Sequence, residues 1–97
     1  MRIRSPVPRE ERLARREELA KAAREGRLAL PSAIRQCREA LGLTQQEFAT
    51  RFGLTRLQVS HLETGRSNPT QDTLLKIGTP FGFMLGFVPR KEEVESE

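Results

Sequence analysis

The chain has 97 residues, which is enough for one domain with an arm or a tail but too few for two independent domains. Hydrophobic residues make up 36% and charged residues 31%, and the only aromatic residues are five phenylalanines, so the expected core is small. A single cysteine, Cys37, excludes an intramolecular disulfide and a cysteine zinc cluster. With one histidine, His61, most metal and triad chemistry is excluded too, so we expect neither an enzyme nor a cofactor.

The net charge is +4, and it is unevenly distributed along the chain. Residues 1–29 carry nine basic and five acidic side chains, whereas residues 91–97 carry one basic and four acidic side chains. Fourteen of the seventeen basic residues are arginine, the side chain that best matches phosphate and guanine. A basic body with an acidic end indicates a polyanionic partner.

Neither a membrane span nor a signal peptide is expected. The sequence contains no run of about 18 apolar residues, and its charged N-terminus has no apolar segment with a cleavage site. These features predict a cytoplasmic protein with no membrane partner.

Residues 1–29 are predicted to form a basic arm followed by a charged helix, which begins near Pro8 and stops at Gly26. The helix either faces solvent or contacts a dimer mate or another partner. Arg2 and Arg4 of the arm either enter a minor groove or make no contact. The expected apolar stripe of the helix is narrow and consists of Leu13, Leu19, Ala14, Ala20 and Ala23.

Residues 30–80 form the predicted domain, because apolar residues there recur at helical spacing between short breaks. Ser32 is expected to cap a helix that ends near Leu41. This helix presents its apolar residues Ile34, Cys37 and Leu41 on one face and stops at Gly42.

Thr44 and Glu47 form a predicted capping box for the next helix, which runs through Arg51 and buries Phe48 and Ala49. After Gly53, Thr55 caps a helix through about Glu63. The inward side chains of that helix are Val59 and Leu62, and Gly65 ends it.

Thr70 is predicted to cap the last helix of the domain, before Gly78 and Pro80 break it. Its expected inward side chains are Leu74, Leu75 and Ile77.

Apolar residues then alternate over positions 81–90, which predicts one β-strand. No second strand is predicted, so this strand would pair across a homodimer axis; alternatively, the phenylalanines pack on the helices without any strand. Residues 91–97 are predicted to be a solvated acidic tail. The expected dimerisation residues are Phe81, Phe83, Leu85 and Phe87.

Residues 43–65 have the spacing of a helix-turn-helix: a cap, a small Ala49 at the helix contact, a turn at Gly53 and inward Val59 and Leu62. The segments LGLTQQEFA, FGLT, VSHLETG and NPT resemble the Cro/Xre family of repressors over about residues 30–78. The resemblance implies a compact helical fold of four to five helices that presents the second motif helix to the DNA major groove, commonly as a dimer. The segment FGFMLGFVPR is similar to the tail of HipB-like antitoxins.

Helix geometry and the family pattern together assign base contacts to residues opposite Val59 and Leu62. Arg56 is the expected guanine reader and Leu57 the expected contact to a thymine methyl. Ser60 reaches a base, a phosphate or water. His61 reaches a base or lies at the groove edge.

Other residues are expected to contact the DNA backbone. Gln45 corresponds to a family glutamine that binds phosphate at a helix N-terminus. Arg51 is a weaker candidate, and the resemblance implies an ion pair between Arg38 and Glu63. The residues that flank the recognition helix and are expected to fix its register are Thr55, Thr64, Arg66 and Ser67.

The sequence thus predicts a mainly α protein that represses transcription at a palindromic operator in double-stranded DNA. The tail favours an autoregulatory antitoxin of a toxin-antitoxin operon, with a toxin or kinase-like partner. Two alternatives are an autonomous phage-type or restriction-modification controller repressor without a partner, and a protein-binding module that mainly sequesters a toxin.

Overall fold

The computed structural model describes residues 7–90, which fold into five α-helices and one short 3-10 helix. The helices are α1 (Arg9–Arg24), α2 (Ser32–Ala40), α3 (Gln45–Phe52), α4 (Arg56–Thr64), α5 (Gln71–Gly78) and the 3-10 helix Thr79–Phe81. The expectations for Arg2 and Arg4 and for the acidic tail fall on residues outside this range.

Helix α1 packs on α2 of its own chain and buries only two of its residues, Leu19 and Ala22. Leu13, predicted to face inward, is 50% exposed, and Ala14 is exposed as well. The inward stripe thus includes Ala22 and leaves out Leu13 and Ala14. The charged helix expected from the sequence therefore packs on α2, but only a narrow strip of its surface is buried.

Helix α2 forms one side of the core with Ile34, Cys37 and Ala40. The predicted cap at Ser32 is wrong. Ser32 is already the first helical residue, and its hydroxyl donates to the Ala29 carbonyl at 3.2 Å instead of accepting from a backbone N–H of the first turn. Pro31 takes the cap position without a side-chain hydrogen bond.

Helices α3 and α4 begin at the predicted threonines and end at the predicted glycines. The Thr44 hydroxyl accepts from the Glu47 backbone N–H at 3.1 Å, and the Glu47 carboxylate accepts from the Thr44 N–H at 2.8 Å. Gly53, which ends α3, has a φ of 71°, a value that glycine adopts without strain. The tight turn between the two helices depends on this residue.

The core lies where α2, α3, α4 and α5 meet. Phe48, Ala49 and Val59 are completely buried, and Ile34, Leu62 and Ile77 surround them. Because Ala49 carries only a methyl group, α3 and α4 can approach closely there. This contact fixes the angle between the two motif helices.

Helix α5 is capped by Thr70, whose hydroxyl accepts from the Thr73 backbone N–H at 3.1 Å. Ile77 is buried and Leu74 packs on the core, but Leu75 is 41% exposed, so its predicted burial is wrong. The α-helix ends at Gly78, just before Pro80, as predicted. The chain tightens into the 3-10 helix Thr79–Phe81, where Pro80 occupies the first turn and no intrahelical donor is required.

The segment after α5 divides into a packed part and an exposed part. Phe81 and Phe83 stack with ring centroids 5.4 Å apart and pack against the core, which agrees with the alternative that these phenylalanines cover the helices. Leu85 is exposed and Phe87 fully so. No strand is assigned within residues 7–90, so the predicted strand and its pairing across a dimer are not confirmed.

Candidate nucleic-acid interface

Helix α4 presents an outward face opposite the core contacts of Val59 and Leu62. Arg56 is exposed and Leu57 is 63% exposed, so both side chains project into solvent from the first turn. Ser60 and His61, one turn later, are half-buried at the edge of the same face. The structure therefore brings the four predicted base readers onto one side of α4, with the first two the most accessible.

The start of α4 is held by a second reciprocal capping box. The Thr55 hydroxyl accepts from the Gln58 N–H at 3.0 Å, and the Gln58 side-chain oxygen accepts from the Thr55 N–H at 2.8 Å. The cap at Thr55 agrees with the sequence prediction, whereas the role of Gln58 was not predicted, although Thr-x-x-Gln is the recognised capping-box signal. Thr55 thus shapes the helix start, and its expected DNA contact stays a prediction.

Gln45 lies at the N-terminus of α3, as predicted, and its amide donates to the Glu63 carboxylate at 3.1 Å. Glu63 also receives two hydrogen bonds from Arg38, at 2.6 and 3.1 Å. Arg38 in turn donates to the Leu43 carbonyl at 3.0 Å. The expected Arg38–Glu63 ion pair is therefore confirmed, and it orients Gln45 as well as joining α2 to α4.

The end of α4 and the loop after it carry the other predicted backbone contacts, all of them exposed. Thr64 is the last residue of α4, and Arg66 and Ser67 lie in the loop. The Thr64 hydroxyl donates to the Ser60 carbonyl at 3.0 Å. Gly65, with a φ of 81°, turns the chain so that the Arg66 N–H donates to the His61 carbonyl at 2.9 Å. These bonds hold the loop against the end of α4 while leaving the Arg66 guanidinium without a carboxylate partner among the described residues.

Cys37 is the one nucleophilic thiol of the chain, and its surroundings suppress its reactivity. Burial in the core raises the pKa of the Cys37 thiol to about 11, since the thiolate would lose its hydration there. The neutral thiol is therefore a packing group of α2 at physiological pH.

A helix-turn-helix family model matches residues 34–82, which is half of the chain. The chain belongs to the helix-turn-helix family. The match confirms the resemblance to Cro/Xre-type helix-turn-helix domains, and α3 and α4 are the two helices of its motif. It ends at residue 82 and so covers only the first two of residues 81–90, on which the similarity to HipB-like tails rests.

Two relatives of this helix-turn-helix protein are named as transcriptional regulators. The chain is 35% identical over 63 residues to an uncharacterized HTH-type transcriptional regulator of Haemophilus influenzae. It is 51% identical over 37 residues to another uncharacterized HTH-type transcriptional regulator, from Methanothermobacter thermautotrophicus. The alignments cover 65% and 38% of the chain, but only 64% and 54% of the two relatives. No solved structure matches the chain significantly.

In helix-turn-helix proteins the second motif helix lies in the major groove and the first crosses the DNA backbone. In this chain the corresponding helices are α4, with its exposed arginine and leucine, and α3, with Gln45 at its N-terminus.

Within residues 7–90, no helix has both the length and the apolar character needed to cross a bilayer.

Proposed function

We propose that this protein is a transcriptional regulator that binds double-stranded DNA by placing α4 in the major groove. The observation that carries the proposal is the division of α4 into two faces. Val59 and Leu62 pack it firmly on the core, whereas Arg56 and Leu57 project from its first turn. A recognition helix requires this arrangement, because side chains that read bases must not be needed for folding.

Arg56 reads guanine in this proposal, because its guanidinium matches the O6 and N7 acceptors with two parallel hydrogen bonds. Leu57 contacts a thymine methyl group. Ser60 and His61 reach the groove edge, where their half-buried positions limit them to closely approaching groups. Specificity thus depends mainly on the first turn of α4.

The DNA backbone is held on both sides of α4. Gln45 approaches one phosphate at the N-terminus of α3, where the helix dipole favours an anion. The side chains proposed to bind further phosphates at the ends of α4 are Thr55, Thr64, Arg66 and Ser67. These contacts set the register of α4 without selecting a sequence.

The regulator acts as a homodimeric repressor on a palindromic operator. Two recognition helices related by a two-fold axis would meet half-sites one helical turn, about 34 to 36 Å, apart. The exposed apolar segment after Phe83 supports dimerisation, because Met84 is 86% exposed and Phe87 fully exposed, and a second chain could cover them. Pairing of the segments across the axis, with Leu85 and Phe87 in contact, would cover them.

The same exposed segment favours a second candidate, an antitoxin in which a toxin or kinase-like protein binds Met84–Val88. Autonomous repression without such a protein remains the alternative. Affinity purification of the tagged protein from its host distinguishes the two. A stoichiometric second protein would support the antitoxin, whereas a homodimer alone would favour the autonomous repressor.

DNA recognition is tested by selecting duplexes from a random library with the full chain and measuring their affinities. Arg56→Ala should weaken binding to the selected duplex roughly 5- to 150-fold, the equivalent of 1 to 3 kcal/mol for one lost bidentate base contact. Its affinity for random duplex should change far less. The matched control is Arg24→Ala, an exposed arginine at the far end of α1.

Equal losses on selected and random duplexes would remove Arg56 from base reading. Failure of the unmodified chain to enrich any sequence would reject sequence-specific DNA recognition altogether.

A further inference from the structure

A groove of about 320 Å³ lies at the junction of α1, α2 and α3, away from the base-reading face of α4. Among the described residues, four arginines line it, three from α1 and one from α3, and no acidic side chain does. Its lining residues are Arg9, Arg12, Arg16, Arg51, Leu13, Ala40 and Leu41. A concave surface with charge of one sign concentrates the electrostatic potential and attracts anions.

The four arginines of the groove differ in what they contact. Arg16 is held by the chain itself: its guanidinium donates to the Pro80 carbonyl at 2.5 Å and lies 5.1 Å from the Phe81 ring centroid. Arg51 lies 5.6 Å from the Phe52 ring centroid and has no carboxylate partner within residues 7–90. Arg9 and Arg12 form no ion pair with any described residue either.

Arg9, Arg12 and Arg51 differ in this respect from two neighbouring arginines that do form ion pairs. Arg15 pairs with Glu11, and Arg35 pairs with Glu39, at 2.7 and 3.0 Å. Carboxylates are therefore available on both α1 and α2, yet none of those in the described part of the chain lines the groove. The groove thus holds three guanidinium groups whose charge nothing in the described part of the chain neutralises.

The groove adjoins the turn that leads into α3, the helix whose N-terminus the proposed function places against the DNA backbone. The side chain of Arg12 packs beside Gly42: its Cδ lies 3.4 Å from where a Cβ atom on that glycine would be. Gly42 in turn precedes Gln45 by three residues. Arg51 lies on the last turn of α3, about 9 Å along the helix axis from Gln45 at 1.5 Å per residue. Arg12 therefore lies beside the turn before α3, and Arg51 lies on α3 itself, the helix that crosses the backbone in this family.

We propose that Arg9, Arg12 and Arg51 form a second phosphate-binding surface, which holds the DNA backbone beside the half-site read by α4. This inference rests on the proposed function. Arg9 and Arg12 lie outside the matched helix-turn-helix region, so α1 adds this contact to the motif. Guanidinium groups pair with phosphate oxygens through two parallel hydrogen bonds, which position the duplex without reading its sequence.

The test compares the full chain with two triple variants of equal charge. The first is Arg9→Gln/Arg12→Gln/Arg51→Gln. The control, Lys21→Gln/Arg24→Gln/Arg90→Gln, removes three exposed cations that lie outside the groove and form no ion pair with a described residue. Circular dichroism first verifies equal helix content, and fluorescence anisotropy then gives affinity for a library-selected duplex from 50 to 300 mM salt.

Each phosphate contact contributes about 0.9 to the slope of log affinity against log salt, so the groove variant should lose nearly three units of slope. At 0.15 M salt this corresponds to roughly a fivefold weaker affinity per lost contact. Base preference should stay the same, and the control variant should keep the slope of the unmodified chain. Trimming the duplex to the half-site alone should remove the difference between the groove variant and the unmodified chain.

An unchanged slope in the groove variant would overturn this inference while leaving DNA recognition by α4 intact. A chain that binds no duplex even at 50 mM salt would overturn the inference and the proposed function together. Binding of a poly-glutamate peptide that the groove variant loses, with an unchanged slope on DNA, would assign the groove to an acidic protein surface and reject the phosphate site.

Discussion

The α3–α4 pair and helix α1 are built in contrasting ways. Both motif helices begin with a reciprocal capping box and end at a left-handed glycine, and they meet through completely buried side chains. Helix α1 is the longest helix of the described chain, yet it has no side-chain cap and buries only Leu19 and Ala22. In the motif, the caps within each helix and the packing between the helices favour the same structure. Helix α1, in contrast, is attached to the domain by a narrow strip of buried residues and by arginine side chains that contact its neighbours.

The contrast indicates where the folding free energy is concentrated. Hydrophobic burial is the main favourable contribution to folding, and most of it belongs to the cluster around Phe48 and Val59. Helix α1 should therefore open more easily than the motif, as elements with few buried contacts do.

The largest effect is expected for Phe48→Ala in the motif core. Removing a completely buried phenylalanine costs about 3 to 5 kcal/mol, comparable to the entire stability of a small domain. Urea denaturation should show a chain that is largely unfolded without denaturant. Leu13→Ala on α1 is the control, because that leucine is half-exposed; comparable losses in the two variants would contradict the contrast.

Breaking the ion pair between α2 and α4 should have the next largest effect. Arg38→Met leaves the Glu63 carboxylate buried with only the Gln45 amide, which should cost about 3 kcal/mol in the free energy of unfolding. The double variant Arg38→Met/Glu63→Leu should recover most of this loss, because no buried charge remains. A double variant as unstable as the single one would show that packing of the arginine stem matters more than the charge.

Alkaline pH should weaken the core through Cys37. Because burial raises the pKa of this thiol to about 11 from 9.0, the folded state favours the protonated form. This stabilisation is fully present below pH 9 and is lost as the pH rises through 11, by about 2 to 3 kcal/mol. Thermal denaturation from pH 8 to 11 measures the decline, and in Cys37→Ala this part of the pH dependence should disappear.

The smallest effect is expected for Arg16→Gln on α1. The substitution removes the bond to the Pro80 carbonyl and the contact with the Phe81 ring, together worth about 1 kcal/mol. Hydrogen exchange should show lost protection in residues 9–24 while the amides of α3 and α4 stay protected. Equal loss of protection in both regions would mean that α1 and the motif unfold as one unit.

The motif was predictable from the sequence because its signals are local. The caps at Thr44, Thr55 and Thr70 and the glycines that end α3 and α4 each depend on residues within one turn. The inward positions followed from helical spacing, and the family pattern supplied the Arg38–Glu63 pair.

The predictions were wrong or incomplete where tertiary contacts determine the hydrogen bonding or burial of a residue. Ser32 has a good cap residue type, but its hydroxyl bonds back to Ala29. Leu75 has the right spacing for burial, yet it lies beyond the side of α5 that faces the core. The attachment of Arg16 to Pro80 joins residues 64 positions apart, so no local pattern could reveal it. Likewise, the arginine groove exists only because α1 folds beside α3.

The two faces of α4 have an evolutionary consequence. Arg56 and Leu57 contribute little to the core, and the capping box that starts the helix uses Thr55 and Gln58 instead. Substitutions at the two exposed positions can therefore accumulate with little loss of stability. Under the proposed function, duplicated copies of such a gene can acquire new target sites without compensating mutations, and randomising the same two codons would redirect the scaffold.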